Sequence, residues 1–75
     1  MSKYLEDEVR EIEYFQSKEN LRRREPLDID EAARLFVQEG YAEKYSKIWY
    51  KGIPPSELRH KLFYIDSYKM KELSR

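Results

Sequence analysis

Acidic side chains crowd the start of this chain, with Glu6, Asp7, Glu8, Glu11 and Glu13 close together. Carboxylates grouped on a helix are the raw material of general acid–base sites and of bridged metal centres. A di-metal centre of that kind also takes Glu-x-x-His motifs from two helices, and a chain whose single histidine is His60 has no such pair. The acids therefore read as a solvated helix face. His60 stands in no recognisable setting with a Ser or Cys nucleophile, so it reads as a surface or interface residue. A lone histidine also rules out paired-His metal motifs, and the lack of cysteine rules out thiolate zinc sites and disulfides. No glycine-rich loop is available to cradle a phosphate. A catalytic pocket, on the order of several hundred cubic ångströms, is hard to build in so small a domain. The expectation is a protein without enzymatic activity, cofactor or metal.

Cations and aromatic rings raise a different chemistry. Arg22, Arg23 and Arg24 form a run that a phosphate could use, but Pro26 follows at once. Cations in the last turn of a helix complement its dipole, and proline stops the helix. The run reads first as a helix end. The chain holds seven tyrosines, and Tyr45, Trp49 and Tyr50 interleave with Lys44, Lys47 and Lys51. Such an arrangement can stack single-stranded bases. Tyr and Trp are equally the preferred residues of protein interfaces, with a large apolar body and a polar handle. We read them as core and interface residues.

The elements that must position these groups are helices. No stretch alternates apolar and polar in the manner of a strand, and only two glycines and three prolines punctuate the sequence. Leu5, Val9, Ile12 and Phe15 have the spacing of one helical face, which predicts a first helix ending in "LRRREP". Asp28, with Glu31 three positions later, has the form of a capping box opening a second helix. Ile29, Ala32, Ala33 and Phe36 share one side of that helix, at about 100° per residue. Beyond Gly40, Tyr41, Ala42, Tyr45, Ile48 and Trp49 centre on nearly the opposite side. Either Gly40 breaks the helix as a left-handed C′ residue, or the helix runs on and its second half packs against another chain; the break is favoured. Gly52, Pro54 and Pro55 mark the next boundary, with Pro55 suited to the first helical position. The last helix starts near Pro55 with Leu58, Leu62 and Ile65 as its core stripe. If it continues to about Leu73, then Phe63 and Met70 face a second side, Tyr64 and Tyr68 a third, and a helix apolar all round requires neighbours all round.

Residues 45 to 73, through Gly52, Ile53, Pro55, Leu58 and Leu62, resemble the helix-turn-helix of recombinase and transposase families. The resemblance implies a DNA-binding protein with Arg59, His60, Lys61 and Lys69 at the phosphates or bases. Two positions depart from that pattern. The small residue that lets the two helices cross closely falls at Arg59, and the glycine that opens the tight turn falls at Phe63. A bulky aromatic resists the left-handed conformation of such a turn, and without the turn there is no separate recognition helix. The shared residues are those of an ordinary helix start, and we read the stretch that way.

The chain of 75 residues carries 15 basic and 15 acidic residues, with no net charge. Residues 1–20 hold three bases and six acids; residues 46–75 hold seven bases and three acids. This asymmetry suits an acidic helix packed beside a basic one better than a nucleic-acid face, which needs a clear positive excess. No apolar run is long enough to cross a membrane, and the acidic N-terminus is unlike a leader peptide. Small cores are often completed by a disulfide, a metal or a partner chain, and here only the last is open. The sequence thus predicts one all-α domain spanning 1–75, a small bundle of three or four short helices. It is expected to be cytoplasmic and to act through protein contacts in a regulatory or adaptor role. The expected partner is a second copy in a homodimer, or else another protein, with Tyr45, Trp49, Phe63 and Met70 near the interface.

Overall fold

The computed structural model describes residues 2–65, and they form four helices with no strand. Helix α1 spans Lys3–Arg23, α2 Ile29–Gln38, α3 Tyr41–Ile48 and α4 Pro55–Arg59. Helix α4 runs directly into one π-helical turn, His60–Tyr64. Met70, Lys69 and Tyr68 lie outside the described residues.

Each boundary has a local cause. Ser2 caps α1 by accepting from the Leu5 amide, and Arg24 closes it in the left-handed region at φ 60°. Arg22 and Arg23 sit in its last turn, as the helix dipole favours. The side chain of Asp28 accepts from the Glu31 amide at 2.9 Å, which makes it the N-cap of α2. The connection 24–28 is folded back onto α1: Asn20 accepts from the Leu27 amide and Gln16 donates to the Leu27 carbonyl, both at 2.7 Å. Gly40 breaks the chain between α2 and α3 at φ 88°, a conformation that costs an L-residue and not a glycine. Pro55 opens α4 at its first turn. Ile65 is extended, so the helical stretch that begins at Pro55 ends at Tyr64, and the continuation towards Leu73 lies outside the described residues.

The core consists of Phe15, Leu27, Ala32, Phe36, Tyr45, Ile53, Leu58 and Leu62. Helix α2 delivers Ala32 and Phe36 to it, while Ile29, placed by spacing on the same side, is 42% exposed. The break at Gly40 settles the fate of the second apolar face. Helix α3 turns on Gly40, so Tyr41, Ala42, Tyr45, Ile48 and Trp49 pack into the same core as Phe36. Tyr41 stacks on Phe36 with ring centroids 5.8 Å apart, and Phe63 lies 5.0 Å from Tyr41.

Helix α1 departs from its predicted orientation. Of the stripe Leu5–Val9–Ile12–Phe15, only Phe15 is buried, and Ile12 is partly covered. The side turned inward carries Tyr4, Asp7, Glu11, Phe15 and Glu19. Asp7 and Glu11, read from sequence as part of a solvated face, are therefore a correction. The reason is that other elements bring partners to them, a pairing no count of apolar residues registers.

Candidate functional site

Helix α1 has two sides that could carry function: an inward polar edge and an outward apolar ridge.

The inward edge is built from carboxylates one helical turn apart. At its N-terminal end, Asp7 accepts from the Trp49 indole at 2.9 Å and pairs with Lys3 and Arg10. Burial by itself would raise the Asp7 pKa; the Trp49 hydrogen bond, Lys3 and Arg10 outweigh it, and the carboxyl titrates below its ordinary range. Trp49 and Tyr45 both meet Tyr4 edge-on, each with ring centroids 5.0 Å apart. The Tyr45 hydroxyl donates to the Tyr4 carbonyl at 2.6 Å, and burial, then the charges of Asp7 and Glu8, push its pKa up.

One turn on, the fully buried Glu11 receives a two-pronged hydrogen bond from Arg59, Nε to Oε1 at 3.0 Å and Nη2 to Oε2 at 3.1 Å. This fork-to-fork geometry is the strong form of the pair. The Arg59 guanidinium lies 4.3 Å from the centre of the Tyr14 ring, and the Tyr14 and Tyr64 hydroxyls share a hydrogen bond. Lys18 then sits over the rings of Tyr64, Phe63 and Tyr14 at 4.7, 5.3 and 5.7 Å. Helix α1 thereby holds α4 and the π-helical turn through one cation–carboxylate pair and a set of cation–π contacts. Near the end of α1, Glu19 takes Arg22 and Arg23, and Arg22 above all lowers its pKa.

The residues singled out from sequence are distributed as follows. Tyr45 is wholly inside the core and offers no surface. Trp49 is half-buried and bonded to Asp7, and Phe63 is half-buried among Tyr14, Phe15, Phe36 and Tyr41. The three lie in one molecule's own core region rather than on a separate face. Of the cations, Arg59 is committed to Glu11 and Lys61 pairs with Glu57 at 2.9 Å, while His60 is exposed and stacks loosely on Tyr64. Phe63 lies in helical backbone; among the described residues only Arg24 takes a positive φ without being glycine. The tight turn of the helix-turn-helix is not formed there.

Sequence reasoning missed Asp7, Glu11, Tyr14 and Lys18 as structural partners. Asp7, Glu11, Phe15 and Glu19, each four residues from the next, share one side of α1, a spacing that permits this side to face inward without selecting it over Leu5 and Val9.

The outward ridge is made by Leu5 and Val9, 49% and 43% exposed, with Ile12 completing it at the core's edge. At about 100° per residue, Glu6 and Glu13 border it on the solvent side and Glu8 on the side nearer the core. None of the three has an ion-pair partner among the described residues. Glu8 is half-buried, and that burial raises its pKa.

No family model, no curated protein and no solved structure matches the chain.

Proposed function

We propose that the protein is a small helical regulatory or adaptor protein that acts through contacts with other protein surfaces and catalyses no reaction. The observation that carries this reading is the ridge of Leu5 and Val9. Two aliphatic side chains one turn apart stand about half-exposed, while Asp7, Glu11 and Glu19 of the same helix are turned inward and paired. Fully burying a large apolar side chain is worth roughly 1.5–3 kcal/mol, so covering the exposed halves of Leu5 and Val9 is worth together about as much as one such side chain. The commitment of Asp7, Glu11 and Glu19 to ion pairs supports a structural role for the acids rather than a catalytic one.

Homodimerisation is one form of this reading. The face past Gly40 no longer calls for a second copy, since α3 packs into its own core; the ridge is what a copy would have to cover. The alternative, DNA binding through residues 45–73, requires Arg59 to leave Glu11 and is the weaker reading.

Photo-crosslinking in cells tests the proposal. A benzophenone side chain at Val9 is expected to give discrete adducts that disappear when Leu5→Glu is added, whereas one at the exposed Ser17 gives none. Adducts at Val9 no stronger than at Ser17 would overturn it. An adduct at twice the chain mass identifies self-association.

A further inference from the structure

We propose that the Leu5–Val9 ridge of α1 docks a cationic amphipathic helix of another protein, whose apolar stripe covers the ridge and whose lysines or arginines meet Glu6, Glu8 and Glu13. The inference rests on the protein-contact reading and names the chemistry of the partner.

The border of the ridge decides what can lie on it. Its acids are of one sign and have no ion-pair partner among the described residues, whereas Asp7, Glu11 and Glu19 on the same helix are all paired. The nearby cations of α1 are engaged elsewhere: Lys3 and Arg10 hold Asp7, and Lys18 lies over the aromatic rings. An apolar stripe flanked by carboxylates with no ion-pair partner among the described residues is complementary to an apolar stripe flanked by cations, one helix laid against another. Glu8 adds a second reason. It is half-buried with no ion-pair partner among the described residues, burial raises its pKa, and an incoming ammonium or guanidinium would offset that loss of water.

The same charges argue against the other occupants. Two copies pairing symmetrically through this face would set Glu6 and Glu13 of one against the like acids of the other. Anionic lipid and nucleic acid would be repelled for the same reason.

The test uses the full chain and three synthetic helical peptides with one leucine stripe and flanks of Lys, Gln or Glu. Titration at low salt is expected to rank them Lys, Gln, Glu, with the Lys peptide about tenfold tighter than the Gln peptide, the scale of a few exposed ion pairs. Raising the salt should shrink that margin, and carboxyl NMR should show the Glu8 pKa falling when the Lys peptide binds. Glu6→Lys with Glu13→Lys should move the preference towards the Glu peptide. Val9→Ser should weaken all three while leaving the circular dichroism unchanged, since Val9 is a surface residue. Equal affinity for the Lys and Gln peptides would overturn the inference. So would binding to anionic vesicles, or a doubled mass in light scattering that Val9→Glu abolishes. Crosslinking at Val9 without a preference for the Lys peptide would leave the protein-contact reading standing and remove only the cationic partner.

Discussion

Glu11 and Arg59 show how unequal the two ends of one ion pair can be. The Glu11 carboxylate is sealed inside the fold, whereas the Arg59 side chain keeps 31% of its surface in water. Removing the guanidinium strands a buried charge, which in comparable pairs costs about 3 kcal/mol or more. Removing the carboxylate leaves a cation that can turn to solvent. Arg59→Met is therefore expected to lower stability in urea by about 3 kcal/mol, and Glu11→Gln by well under that. Equal losses would show that the pair is not asymmetric in solution. This also separates the readings of Arg59, since a DNA contact would affect binding and not unfolding. Glu8 carries the opposite sign. Its pKa is raised in the fold, so the ionised group opposes folding at neutral pH, and its favourable contribution exists only below the unfolded value and fades as pH rises through the folded one. Glu8→Gln should raise the unfolding free energy in urea at pH 7, by no more than about 0.5 kcal/mol once solvent screening is allowed for, and leave it unchanged near pH 3. A loss at pH 7 would mean that Glu8 has a stabilising partner.

Among the elements, the join of α2 and α3 is the decisive one. Gly40 has φ 88°, and a methyl group placed there would meet no atom within 4 Å. The cost of Gly40→Ala is thus one of backbone conformation alone, about 1–2 kcal/mol. Thermal unfolding should show that loss with the helix content kept. A neutral substitution would mean that α2 and α3 do not require a left-handed join. This join was legible in the sequence: the apolar positions change side at Gly40, and a helix cannot present both sides to one core. The orientation of α1 was not legible. A stripe of Leu5, Val9, Ile12 and Phe15 is a valid amphipathic pattern, but so is the inward side with Asp7, Glu11 and Glu19, once Trp49, Arg59 and the arginines at the helix end are in reach. Local spacing cannot choose between them.

For the molecule as a whole, buried carboxylates imply a defined response to acid. Asp7 and Glu19 both titrate below their ordinary range in the fold, Asp7 despite its burial and Glu19 chiefly through Arg22. Groups lowered in this way stabilise the fold above the unfolded carboxyl pKa, near pH 4, and that stability is lost as pH falls through the folded values. Acid titration should therefore unfold the protein below about pH 4, and Asp7→Asn should flatten that dependence. Trp49 is the only tryptophan and donates to Asp7, so its fluorescence reports the change directly. Helicity and emission both steady to pH 2 would show that these acids do not hold the fold together.

Helix count and helix ends are written in the sequence because they depend on neighbouring residues. Asp28 caps α2, Gly40 permits a left-handed turn, and Pro55 starts α4, each through contacts within a few positions along the chain. The all-α class follows from the same local signals. Tertiary structure alone decided that α1 turns Asp7 and Glu11 inward and leaves Leu5 and Val9 to solvent. Glu11 finds Arg59 forty-eight positions away, and Asp7 finds Trp49 forty-two away. A carboxylate is buried only where such a partner arrives, so its place in the fold is a property of the packed chain and not of its own stretch of sequence.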